Sequence, residues 1–110
     1  MSRRELSAAR AAPVFAALGD ATRLSLVSRL CDGRAYSITE LASGTKLTRQ
    51  GVTKHLTTLR RAKIVMSRRS GRENLYQLRA ESLELARDYL ARASRQWDEA
   101  IDRLRSFVED

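Results

Sequence analysis

The sequence predicts a mainly α fold with one small β-hairpin, and three observations lead there. Apolar residues recur at helical spacing in blocks that each open on a capping residue, up to about residue 62. Two β-rich runs then flank a Ser70-Gly71 turn. From Glu81 onward there is no Gly or Pro, and one apolar period persists to the end. With 110 residues, 43% hydrophobic and 31% charged, the chain has material for one small core and for one domain spanning 1–110.

Residues 1–12, rich in Ala and Arg, fit either a helix or an arm, and Pro13 suits the first turn of a new helix. Asp20 is an N-cap, and Leu24, Val27, Leu30 and Cys31 repeat helically until Gly33, which places a helix over about 20–31. Ser37 with Glu40 three residues on forms a capping-box pattern opening a short helix that ends near Gly44. Thr48 caps the next helix, which runs through about Ala62. Along it Val52, His55, Leu56 and Leu59 share one side, with Arg49, Gln50, Thr53 and Lys54 toward the other. Two short helices joined by a tight turn make residues 37–62 a helix-turn-helix.

Ile64-Val65-Met66 and Leu75-Tyr76-Gln77-Leu78 predict a hairpin over 64–79 with a basic tip. In the final helix, 81–108, Leu83, Ala86, Leu90, Ala93, Trp97, Ala100, Leu104 and Phe107 follow in alternating steps of 3 and 4, a period of 3.5. At about 1.5 Å per residue such a helix reaches roughly 40 Å, more than a small domain covers with its own core. Its seam is therefore expected to meet a second copy, with the first helix packed alongside.

Charge is concentrated in one segment. The whole chain carries +8. Residues 44–79 alone hold ten Lys or Arg (Lys46, Arg49, Lys54, Arg60, Arg61, Lys63, Arg68, Arg69, Arg72 and Arg79) against Glu73, a local sum of +9. A polyanion-binding face is implied there. Other classes find little support. One Cys makes no internal disulfide and one His no His-rich metal site. No apolar run approaches the roughly 18 residues of a membrane span and no signal-type apolar region opens the chain, so a soluble, cytoplasmic protein is expected. There is no Gly-rich phosphate loop, no nucleophile elbow and no plausible acid–base pair, so no enzyme and no cofactor are expected.

The order of helices, helix-turn-helix, basic hairpin and long final helix matches a winged helix. The string LGDATRLSLVSRL, then ITELASGTKLTRQGVTKHLTTLRRAKIV and SRRSGRENLYQL, resembles the ArsR/SmtB family of winged-helix transcriptional regulators over about 15–79. Its most specific parts are Asp20, Thr22 and Arg23; Val52 to Leu56; and Asn74, Leu75 and Tyr76. The ending, with Trp97, Leu104 and Phe107, is similar to the family's metal-free branch. Two departures stand out: Lys46 and Lys63 occupy turn positions where the family usually has Gly. A non-Gly residue in the left-handed conformation costs roughly 1 kcal/mol, so either those turns differ or the cost is carried. The resemblance also implies that the Cys-x-Cys box of thiolate-sensing members, which opens the helix before the recognition helix, is missing, its positions matched here to Ala42 and Gly44. The final helix has no His, and Asp98, Glu99 and Asp102 offer only oxygen ligands.

The recognition-helix reading stands on chemistry as well. Thr48 and Thr53 offer hydroxyls to phosphate beside the positive end of the helix. Arg49 can fork onto guanine O6 and N7, Gln50 can read adenine N6 and N7, and Lys54 lies one turn on. Arg68, Arg69 and Arg72 flank the wing tip, where they can enter a minor groove or grip phosphate. Several side chains have plainer readings. His55 falls on the partly buried side and reads as a packed or capping histidine, Cys31 as a small buried hydrophobe, and Trp97 as seam packing. Asp98 and Asp102 lie near Arg95, an ordinary surface pairing. The expected function is a sequence-specific regulator of a double-stranded DNA operator: a homodimeric repressor, with the sign taken from the resemblance, controlled not by metal but by something else, such as an organic ligand, a protein partner or simply the amount of regulator. The rivals are a nucleoid-type architectural protein and a metal- or redox-responsive member of the same family.

Overall fold

A computed structural model describes residues 1–109 of the chain. Helix α1 spans Arg3–Leu18, capped by Ser2, whose hydroxyl accepts from the Glu5 amide. Residues 1–12 are thus helical from Arg3, and Pro13 lies inside α1 and does not open a new helix. An interior proline normally costs about 3 kcal/mol. Pro13 is on the exposed side, and burial of Ala11, Val14 and Ala17 on the other side offsets that cost.

Helix α2 (Ala21–Leu30) is capped by Asp20, which accepts from the Arg23 amide at 3.0 Å. Its buried side is Leu26, Val27 and Leu30, whereas Leu24 is 52% exposed and Cys31 is exposed. The expected stripe therefore differs in register. At about 100° per residue, Leu26, Val27 and Leu30 fall within one arc with Leu24 beyond its edge. Cys31 is the C-cap, turned out of the packed face and not a buried hydrophobe.

Helix α3 (Ile38–Ala42) opens with both halves of the capping box: the Glu40 amide donates to Ser37 Oγ at 3.1 Å and the Ser37 amide to Glu40 Oε1 at 3.0 Å. Helix α4 (Arg49–Arg61) starts from Thr48, whose hydroxyl accepts from the Gly51 amide at 3.0 Å. The turn between them places its left-handed residue at Gly44 (φ +77°), so Lys46 needs no positive φ. At the other departure the cost is carried: Lys63, just past α4, has φ 59°.

Three strands follow an antiparallel order β1-β3-β2. Strand β1 (Tyr36–Ser37) was not anticipated; two residues are too few to display alternation, and it forms by pairing Tyr36 with Tyr76 and Ser37 with Leu75. Strands β2 (Val65–Ser70) and β3 (Glu73–Leu78) make the hairpin, closed by Gly71 (φ +60°) and Arg72 between the Ser70–Glu73 pair. The hairpin lies within the expected 64–79, and the basic run Arg68-Arg69 belongs to strand β2 itself. Leu30, Leu41, Val52, Leu56, Leu59, Ile64 and Val65 are the fully buried centre that fixes α2, α3 and α4 against the sheet.

Helix α5 spans Ala80–Glu109, 30 residues and therefore about 45 Å. Its start is pinned by Ser82, whose hydroxyl donates to the Ala62 carbonyl at 2.7 Å. Along its first half Ala86 and Ala93 are buried, Leu83 packs on the core, and Tyr89 meets Phe15 of α1 edge-on with centroids 5.9 Å apart. Ala86, Ala93 and Leu83, expected in the seam facing a second copy, are thus covered by their own chain. Beyond them Trp97 (50%), Leu104 (65%) and Phe107 (84%) are exposed. The radius of gyration, 17.6 Å, exceeds the roughly 13 Å of a globular chain this long, because the end of α5 has nothing of its own chain to pack on.

Candidate nucleic-acid interface

Helix α4 is built with two faces. Val52, Leu56 and Leu59 are 0% exposed and lock one side into the core. Successive residues turn by about 100°, which sets Gln50, Lys54 and Thr57 on the far side and Thr53 at its edge, while Arg49 lies beside the core face and is exposed at the first position of the helix. Arg49, Gln50 and Lys54 are exposed there without a protein partner among the described hydrogen bonds, free to meet a ligand from the first turns of the helix. Thr53 differs. Its hydroxyl donates to the Arg49 carbonyl at 2.7 Å, and Thr57 and Thr58 bond back to the Thr53 and Lys54 carbonyls in the same way. A phosphate needs a donor, and the Thr53 proton is committed to its own backbone. Thr48 accepts from an amide and keeps its proton to give.

Arg68 and Arg69 are exposed and consecutive on β2, so they leave opposite faces of the wing. Arg69 Nε bonds the Gly71 carbonyl at 3.3 Å and folds over the tip, while Arg72 occupies the turn. Arg60 from the end of α4 reaches Ser67 Oγ at 3.2 Å and ties helix to wing.

Two supports were not foreseen from the sequence. Arg23 sends Nε to the Ala17 carbonyl at the end of α1 and stands 3.3 Å from His55 Nδ1 of α4, with Asp20 Oδ2 3.8 Å from the same nitrogen. His55 is accordingly a structural joint between α1, α2 and α4. The Arg23 amide bond, aided by the nearby Arg23 guanidinium and His55, holds the Asp20 carboxyl below its ordinary value despite some loss of hydration. Arg29 donates to the Leu41 and Glu40 carbonyls at 2.8 and 3.2 Å, capping the end of α3, and lies over the Tyr36 ring. Asp32, bonded by the Tyr36 hydroxyl and the Arg34 amide, is held low in the same manner, and Tyr36 is raised by that carboxylate. The paired motif residues Asp20 and Arg23 were the available signal for the first joint.

The positions that open α3 are Ser37 and Thr39; Ala42 and Gly44 come at and after its end, which corrects where a Cys-x-Cys box would sit. Neither pair supplies a thiolate. Asp98, Glu99 and Asp102 are exposed on α5, and among the described residues no group of three or more His, Cys, Asp or Glu converges to hold a metal. Among the same residues no helix is long and apolar enough to cross a membrane.

Comparison with known proteins agrees with this arrangement. A helix-turn-helix domain model matches residues 18–68. The chain is 37% identical over 76 residues to the HTH-type transcriptional regulator Rv2034 of Mycobacterium tuberculosis, covering 69% of this chain and 70% of that protein. The structure superposes on an ArsR-like transcriptional regulator from Rhodococcus sp. RHA1 with TM-score 0.69 and 32% identity, over 90% of this chain and 92% of the other. It is also similar to the transcriptional repressor BigR from Xylella fastidiosa, with TM-score 0.64, 26% identity, and 82% and 95% of the two chains covered. These relatives are transcriptional regulators. An α4 that buries its apolar side and exposes Arg, Gln and Lys at its start, beside a basic wing, is what such proteins need, and the chain belongs to the ArsR family of winged-helix transcriptional regulators.

Proposed function

We propose that this regulator, a single winged-helix domain, reads a specific double-stranded operator as a homodimer, represses transcription there, and does so without metal control. The observation that carries the sequence-reading part is that Arg49, Gln50 and Lys54 are all exposed at the start of a helix whose apolar side is immobilised in the core. Arg49 and Gln50 supply the forked donors and the amide pair that distinguish bases in the major groove. Thr48, with the first amides of α4, grips phosphate and sets register. Arg68, Arg69 and Arg72 add affinity with little preference for sequence. Repression rests on likeness to BigR and on simple occlusion of a promoter.

A homodimer is supported by the uncovered apolar residues of α5, and two recognition helices then require half-sites about one DNA turn apart, roughly 10 bp or a multiple of it. Genomic fragments retained by the protein at physiological salt should share a near-palindromic sequence. Arg49→Ala or Gln50→Ala should flatten the preference, and Arg69→Ala should weaken all sequences alike. With about eight to ten phosphates neutralised per dimer, log K should fall against log salt with a slope of about −7 to −9. Retention without any shared sequence would instead identify an architectural DNA-coating protein.

A further inference from the structure

A groove of about 440 Å³ lies between the start of α1 and the middle of α5, away from the recognition helix and the wing. Its size falls in the range of small-molecule sites, about 300 to 1,000 Å³. Arg3 and Arg4 enter it from α1 and Arg92 from α5, and no acidic side chain lines it. Arg92 is partly positioned by Ser7, which accepts from its Nη2 at 3.3 Å. Tyr89 and Ala93 give an apolar wall, and the Tyr89 ring is braced from behind by Phe15, edge-on at 5.9 Å. Gln96 adds a neutral polar group at one end.

Arg3 and Arg4 on one wall and Arg92 on the other concentrate positive charge in a groove without an acidic residue, and a guanidinium fork matches a carboxylate in geometry as well as charge. A braced aromatic ring beside them favours a flat apolar body. We propose that this groove is a binding site for a small aromatic carboxylate, held by Arg3, Arg4 and Arg92 through the acid and by Tyr89 through the ring. Inorganic anions fit the charge alone and leave the apolar wall unused.

The site is placed to matter for the rest of the molecule. On α5 the groove stripe of Tyr89, Arg92, Ala93 and Gln96 is centred about a quarter turn from the exposed stripe of Leu90, Trp97 and Leu104 and borders it at Ala93, so a ligand there contacts α1 and α5 beside that apolar face. The far end of α1 is tied through the Ala17 carbonyl and Arg23 to His55 on α4.

The test is a titration of the intact free protein with 2-naphthoate, followed by calorimetry, with 2-naphthamide as the uncharged counterpart of equal shape. It needs no DNA, so its outcome is independent of the operator reading. One saturable site per chain is expected, with 2-naphthamide at least ten-fold weaker. Arg92→Gln and the pair Arg3→Gln with Arg4→Gln should each weaken 2-naphthoate at least five-fold, Tyr89→Leu should weaken it while sparing the charge, and Arg105→Gln at the far end of α5 should change nothing. The groove arginines are exposed, so their variants are expected to fold, which far-ultraviolet circular dichroism checks. Absence of saturable binding overturns the proposal. So does equal binding of the amide, equal loss in Arg105→Gln, or binding of inorganic phosphate as tightly as 2-naphthoate.

Discussion

Single residues decide how the recognition helix is aimed. The two lysines at family glycine positions were resolved in opposite ways: Gly44 takes the left-handed conformation that would otherwise fall near Lys46, whereas Lys63 adopts φ 59° itself. The sequence showed both departures but not which turn would absorb its own, since that depends on where α3 ends and how Ile64 must enter the core. Ile64 is fully buried immediately after Lys63 and its amide donates to the Leu59 carbonyl, which holds the chain at that turn. Removing the Cβ should relieve the strain. Lys63→Gly is expected to stabilise the fold by about 0.5 to 1 kcal/mol, less whatever the more flexible unfolded chain takes back. Urea denaturation checks this, with a raised midpoint and an unchanged slope. Thr53 teaches a related lesson: its position on the outward face was legible from spacing, but the bond to the Arg49 carbonyl that occupies its proton was not.

At the scale of elements, caps were the most legible feature because they are local. Asp20, Ser37 and Thr48 each do in the fold what their spacing implied. The Asp20–Arg23–His55 joint spans 32 residues between Arg23 and His55, and no periodicity reveals a contact between separate helices. Strand β1 escaped for the same reason, since it exists only by pairing with β3. The joint has a pH signature. Asp20 is held below its ordinary value of 3.8, first by the Arg23 amide, so its folded form favours the charged state. A depressed carboxylate contributes stability that is fully present above its unfolded value and is lost as pH falls through the folded value. Asp20→Asn keeps an N-capping side chain and removes the charge. Stability measured from pH 7 down to pH 2 should therefore show a deficit in the variant at neutral pH that shrinks as the solution is acidified below about pH 4. No deficit, or one that stays constant across that range, would mean that the charge of Asp20 contributes nothing to stability.

For the whole molecule, two expectations concern what α5 meets and what controls the assembly. Titration of zinc, cadmium, nickel and arsenite into the protein on its operator should release no DNA, because Cys31 and His55 are the chain's sole thiol and imidazole and among the described residues no group of metal-ligating side chains converges. Stoichiometric release by any of them would place the chain among the metal-responsive members. The assembly itself follows from the uneven use of the α5 seam. The period of 3.5 was visible in the sequence, yet it could not separate positions that α1 covers from those it leaves bare, because both serve the same stripe. In the fold Ala86 and Ala93 are covered within the chain, and Leu90, Trp97, Leu104 and Phe107 are not. A second copy laid along this stripe would take these side chains out of water, and the gain, up to about 1.5 to 3 kcal/mol for each one fully buried, has to exceed the cost of association. Leu90→Lys combined with Leu104→Lys puts charge on both halves of the bare stripe while leaving the protomer core of Leu30, Leu56 and Leu59 untouched. Analytical ultracentrifugation should find the parent protein as a dimer of 12.4 kDa chains and the double variant as a folded monomer. A parent that sediments as a monomer, or a variant that stays dimeric, would assign the stripe to a different partner.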